Sequence, residues 1–401
     1  MRKSWIVVCL FNFLIAGLMG LLMRLTNVIP QNFDYAKLIH AHSHTAMLGW
    51  VYMMIYCFFL HHFVPPEKKK NYNTLFWLTQ ISVTGMMISF PLQGYAMISI
   101  TFSSLHILCS YIFGYRIWRD NNVTFLPVKR LLSTSLLFML MSTLGAWSLG
   151  IIVNFVGKES NLYKTAIQFF LHFQFNGWFV FAVLSIFFSI IYKQGIFLSD
   201  KLFRPFYYYL TLSAILTFAL PISWHFSHQG FVYINAVGLT LQIASAIYFI
   251  IMMRRRWQEI IKNNTSVAKW LLIISMISLL TKTIMQSMTV FPEFAEASQT
   301  VRNFTIGFIH LGMLGLINGF LFFFLAQGQF IGSKNTYWKT GMLVFYIGFL
   351  LTELILFFQG LLNFLKIPMV REYPEILFVA SLLLPAGLVF ILISLFSRKS
   401  V

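Results

Sequence analysis

The sequence predicts an all-α fold, a polytopic membrane protein of about 12 transmembrane helices, and three observations lead there. Of 401 residues, 58% are hydrophobic and only 10% are charged, too little charge for a water-soluble surface. Apolar runs of 18 or more residues recur from end to end, and in lipid the backbone must hydrogen-bond to itself, so each run is expected to be a helix. The stretches between runs are short, so residues 1–401 read as a single integral membrane domain with no separate soluble part.

Polar residues and Pro/Gly punctuation place the helices at roughly 4–26, 36–64, 72–91, 95–118, 129–153, 163–193, 204–224, 229–253, 268–291, 298–326, 337–362 and 374–397. Arg2 and Lys3 precede an apolar run that reaches about Met23 without a small-residue cleavage site, so the first segment is expected to be a retained helix. Cys9, Cys57 and Cys109 fall inside apolar segments, where thiols pack as small hydrophobes; neither a disulfide framework nor a CxxC site is indicated.

The net charge of +18 does not form one basic stripe, which argues against nucleic acid as a partner and makes membrane topology its better explanation. With the N-terminus cytoplasmic, 21 of the 29 basic residues fall on the inside. They include Arg2, Lys3, the Lys68-Lys69-Lys70 run, Arg254-Arg255-Arg256, Lys334, Arg398 and Lys399. The opposite loops carry Asp34, Glu159, Glu293, Glu296, Glu372 and Glu375. This asymmetry places both termini in the cytoplasm of a multi-pass protein of a bacterial-type inner membrane.

Histidine depth then becomes informative. His40, His42 and His44 open the second predicted helix, His172 lies within the sixth, His225 and His228 end the seventh, and His310 lies within the tenth. At ~1.5 Å per residue, His44, His172 and His310 would sit roughly 12 to 18 Å below the outer surface, where an unpaired polar ring is costly. A metal or haem iron is one partner for such rings, and a carbonyl of a neighbouring helix is the other. His61, His62 and His106 are better read as solvated or packed side chains.

Two segments match in spacing: His44-Thr-Ala-Met-Leu-Gly49 and His310-Leu-Gly-Met-Leu-Gly315. Small residues beside a histidine let a flat macrocycle approach the backbone, so these two helices could clamp one haem b; glycines in membrane helices also serve helix packing. A second group is His172 with His225 and His228, whose H-x-x-H spacing would share a helix face. Three nitrogens of this kind suit copper, iron or zinc, while the alternative is that His225 and His228 are wet loop residues after Pro221.

In this ordered set the chain resembles the catalytic subunit of the haem-copper oxidase superfamily, nearest its nitric oxide reductase branch. A histidine in the second helix, one in the sixth with Gly177 five residues on, paired histidines ending the seventh and H-L-x-x-x-G in the tenth follow that pattern along the whole chain. The resemblance implies a subunit I-like bundle. It also implies that His44 and His310 ligate a low-spin haem b, with His42 the rival to His44, and that His172, His225 and His228 hold copper or non-haem iron. Three positions depart from the family pattern: Phe308 stands where a histidine binds the high-spin haem, Asn176 where the reductases carry a glutamate, and Phe226 and Ser227 separate the paired histidines. A divergent member with one haem and an altered metal pocket is therefore expected.

Glu353 lies inside the eleventh helix, as a candidate proton carrier or a hydrogen-bonded structural carboxyl. Lys37, Arg302 and Arg371 lie at helix ends, where they could pair with haem propionates or simply anchor the interface. The reading is a haem b-binding membrane redox protein, with oxygen or nitric oxide reduction as the activity the resemblance implies. No CxxCH site is present, so electrons would come from a quinol or a cytochrome, and accessory subunits are compatible with this. The competing readings are a non-enzymatic haem or metal protein and a transporter.

Overall fold

The structure, a computed structural model, describes residues 2–29, 34–262, 264–328, 330 and 335–397. Among these described residues twelve helices are long and apolar enough to cross a membrane, as the hydropathy pattern requires. They are α1 (Lys3–Leu25), α2 (Tyr35–Phe63), α3 (Pro66–Gln93), α4 (Met97–Asp120), α5 (Leu126–Phe155) and α6 (Asn161–Lys193). The second half comprises α7 (Asp200–Ser223), α8 (Gln229–Lys262), α9 (Ser266–Val290), α10 (Arg302–Gln327), α11 (Thr336–Phe364) and α12 (Tyr373–Phe396). No strand occurs among the described residues. Lys334, Arg398 and Lys399, counted above among the basic residues, lie outside the described residues.

Side-chain caps and prolines set many of the starts. Asp34 accepts from the Ala36 and Lys37 N–H groups at 3.1 and 3.3 Å to open α2; Ser160, Thr265 and Asn335 do the same for α6, α9 and α11. Pro66, Pro127 and Pro374 occupy first-turn positions, where a missing N–H costs nothing.

Two boundaries differ from the sequence expectation. α8 runs to Lys262 rather than stopping at 253, because hydropathy ends there but helix propensity does not: Arg254, Arg255, Arg256, Gln258 and Glu259 all favour helix. The segment expected at 298–326 is split, with a separate helix over Pro292–Thr300 and an extended Val301 before α10.

The chain divides into two compact units, Met1–Asn122 with Leu321–Val401, and Val123–Phe320. In the first, rings stack in pairs: Trp5 on Phe76 at 4.2 Å, Phe13 on Trp50 at 4.7 Å and Tyr56 on Phe113 at 4.2 Å. α11 and α12 touch backbone to backbone: a Cβ on Gly387 would lie 2.7 Å from the Phe345 nitrogen and 2.8 Å from the Gly341 carbonyl oxygen. In the second unit, α5 and α6 approach as closely, a Cβ on Gly145 falling 2.6 Å from the Ala166 carbonyl oxygen. Small residues at such crossings are how membrane helices gain packing without a hydrophobic driving force.

Gly387→Leu should therefore destabilise the first unit by about 1–3 kcal/mol through overpacking, read as a lower unfolding midpoint in detergent. Gly150→Leu, at a position with nothing within 4 Å, should leave that midpoint close to wild type.

Candidate functional site

Three of the twelve helices share a local irregularity. α2, α6 and α10 each change from α to the wider π winding, over Thr45–Tyr52, Phe173–Phe179 and Leu311–Ile317. In each the residue before the change is a histidine, His44, His172 and His310, and the glycine five residues later, Gly49, Gly177 and Gly315, lies within the widened turn. These helices are also the most enclosed, with 83, 83 and 72% of their apolar window buried, against 33 to 50% for the others. In all three the enclosure is greater after the histidine than before it. π turns are rare and concentrate where a side chain must be re-aimed.

The histidines of α2 separate by their bonding. His42 Nδ1 lies 2.8 Å from the Ala16 carbonyl oxygen of α1, and its ring covers Gly20 so closely that a Cβ there would fall 2.9 Å from Cε1. It clips α1 to α2. His44 Nδ1 lies 2.8 Å from the His40 carbonyl oxygen on its own helix. A nitrogen facing a carbonyl must carry the proton, so Nε2 of His44 holds a lone pair. Its ring is steadied by Phe90, 4.4 Å away centroid to centroid, with Tyr95 beyond it. Both His42 and His44 thus hold Nδ1 on a carbonyl and leave Nε2 as an acceptor, an arrangement compatible with ligation; they differ in that His42 bonds across to α1 and His44 within α2. His106 of α4, expected to be a satisfied core residue, is 3% exposed with Nε2 lacking a hydrogen-bond partner, its ring edge-on to Tyr52 at 4.7 Å.

His310, in the second unit, is partly covered, and two residues on, Gly312 has nothing within 4 Å of where a Cβ would stand. Of the three cations considered for propionates, Lys37 pairs with Asp34 at 3.5 Å, and Asp34 is held below the usual carboxylate range mainly by the Lys37 N–H. Arg302 is exposed at the start of α10, and Arg371 is exposed in the turn before α12.

The second group is arranged differently from the expectation. His172 is 7% exposed with both nitrogens engaged: Nε2 donates to the Ala214 carbonyl at 2.8 Å and Nδ1 lies 3.3 Å from Asn176 Nδ2. The Ala214 carbonyl is free to accept because α7 breaks. Pro221 cannot continue the helix through Thr217, and the Phe218 N–H turns to Ile215 instead of Ala214. His225 and His228 are not helical, which corrects the shared-face argument: α7 ends at Ser223 and α8 begins at Gln229. His228 is exposed and caps α8, its Nδ1 accepting from the Gly230 N–H at 3.0 Å. His225 offers its carbonyl to Asn161 at 2.8 Å, and burial together with the Lys164 charge holds its imidazole below the usual pKa. Among the described residues no three His, Cys, Asp or Glu side chains stand together as a metal site, so this group as placed does not fit the copper or iron set.

Glu353 is 7% exposed in α11, and Arg24 of α1 is near enough to act on its charge. Arg24 was not singled out from the sequence, and neither was Lys282 of α9. Lys282 is 6% exposed, bonds Gln286 Oε1 at 3.1 Å and holds Nζ 5.1 Å from the Phe308 ring centroid. Phe308 thus faces an ammonium at the position where the resemblance implies an iron ligand. Both cations carry the signal that marked Glu353, a charge inside an apolar run. Asn12 was missed as well; its amide donates to the Gly49 carbonyl in the widened turn at 2.9 Å and pairs with Gln80.

Compared with known proteins, the chain matches no family model and no curated protein significantly.

His172→Ala leaves the Ala214 carbonyl unpaired inside the bundle, and should lower stability by about 0.6–1.7 kcal/mol, the range for interhelical bonds in membranes. A thermal melt in detergent measures it, and an unchanged midpoint would show that the imidazole is not a strut.

Proposed function

We propose that the protein is a haem b-binding electron-transfer protein of a bacterial-type inner membrane, a divergent relative of haem-copper oxidase subunit I with a single low-spin haem. The observation that carries this reading is the bonding of His44: Nδ1–H held by the His40 carbonyl, Nε2 left as an acceptor. His310, at the matching step of α10 with Gly312 open beside it, is the proposed second ligand. Haem b bound there supplies a one-electron ferric/ferrous couple.

The reading favours electron transfer or response to a bound gas over oxygen or nitric oxide reduction. His172 spends both nitrogens on protein partners, and Phe308, which cannot coordinate iron, is covered by Lys282. Glu353, buried within α11, is the proposed proton-exchanging group. The same reading puts both termini in the cytoplasm, supported by the 21 basic residues that fall on that side.

For the electron donor, a membrane quinol fits better than a soluble cytochrome. A groove of about 560 Å3 on α3 and α4 is lined by Trp77, Ile81, Ile88, Leu92, Ile98 and Phe102. It also includes Ser89, whose hydroxyl is buried without a hydrogen-bond partner. Ser89 adjoins Phe90, which packs on His44.

A reduced-minus-oxidised spectrum of the purified protein should show one bis-histidine haem b. His44→Ala and His310→Ala should each abolish that signal, whereas His42→Ala and His172→Ala should retain it. A carbon monoxide-reactive second haem would return the protein to the reductases, and wild-type spectra from both His44→Ala and His310→Ala would refute the ligand assignment.

A further inference from the structure

We propose that a cavity enclosed by α6, α7, α8 and α9 binds a small monovalent oxyanion that carries its own hydroxyl, hydrogencarbonate being the simplest, against the ammonium of Lys282. The proposal is independent of haem and lies wholly within the second unit.

The cavity has about 40 Å3 of space open to water-sized centres, room for a few heavy atoms. Lys282, Gln286, Gln242 and Asn176 contribute to its wall, with Ser213 and Thr283 among its hydroxyls. Lys282 supplies the only full charge on that wall. Every acidic residue of this unit, Glu159, Asp200, Glu259, Glu293 and Glu296, lies at the end of or outside the membrane-spanning helices, and Lys282 makes no ion pair among the described residues. Its one hydrogen bond is to a neutral amide, Gln286 Oε1. An ammonium 6% exposed, with no internal counter-ion and a cavity beside it, is a receptor for a negative charge from outside the chain.

The hydrogen-bond inventory narrows the anion. Gln286 Oε1 accepts from both Lys282 Nζ and Gln242 Nε2, each at 3.1 Å, which fixes which way both amides face. Asn176 Nδ2 is likewise turned to His172 Nδ1. Two acceptors, Gln242 Oε1 and Asn176 Oδ1, are left buried without partners. The hydroxyls of Ser213 and Thr283 donate to carbonyls of their own helices. The occupant must therefore accept from an ammonium and donate to amide oxygens. Chloride and nitrate meet only the first demand, whereas a hydroxyl-bearing oxyanion meets both.

The test uses the full-length protein in detergent and the 13C line width of labelled hydrogencarbonate. Wild type should broaden the line saturably, and nitrate or chloride at equal concentration should displace little of it. Lys282→Met should weaken binding about tenfold or more, as expected for loss of a charged hydrogen bond, and Lys282→Arg should retain it. Gln242→Leu keeps the ammonium and removes one acceptor, so it should still bind but lose the preference over nitrate. This arm keeps the proposal falsifiable if Lys282→Met fails to fold. No saturable broadening in wild type, wild-type binding by folded Lys282→Met, or an unchanged preference in Gln242→Leu would each overturn it.

Discussion

An imidazole inside a hydrocarbon surround cannot leave both nitrogens to chance, because a polar atom there has no water to fall back on. That constraint sorts the histidines of this protein into two kinds. His172 and His42 reach across to carbonyls of neighbouring helices and act as struts. His44 bonds a carbonyl of its own helix instead and leaves Nε2 as an acceptor, the nitrogen on which the proposed ligation rests.

Backbone irregularity frees some of these acceptors, while others are second bonds to carbonyls of regular helices, as Ala16 in α1 accepts from His42. The break after Leu216 releases the Ala214 oxygen for His172, and the widened turn of α2 gives Asn12 the Gly49 oxygen. The α-to-π change recurs at every fourth helix, each time just after a histidine and around a glycine five residues on. The repetition gives the three helices one local backbone pattern.

The twelve spans were legible in the sequence because hydropathy reports burial in lipid directly. The end of α8 was not, since propensity carries that helix onward through Arg254, Arg255 and Arg256 after hydropathy has fallen. His225 and His228 looked like a helical pair by spacing alone; their loop geometry follows from how α7 terminates near Pro221, which periodicity does not report. The choice between His42 and His44 stayed open for a similar reason. Only the packing of α1 on α2 shows which carbonyl each ring meets, Ala16 for His42 and His40 for His44. Lys282 and Arg24 were visible as charges within apolar runs. Their meaning came from the company they keep, Phe308 and Gln286 for one, Glu353 for the other.

The length of α8 has a mechanical consequence. Its 34 residues rise about 51 Å, while the hydrocarbon layer is only ~30 Å thick, so roughly 20 Å of this rod must stand in headgroups or water. The triple arginine sits at that emergent end, where guanidinium groups bind lipid phosphates and resist being drawn inward. α8 is thus longer than the hydrocarbon layer is thick, and its apolar part gives way to the triple arginine before the helix ends at Lys262.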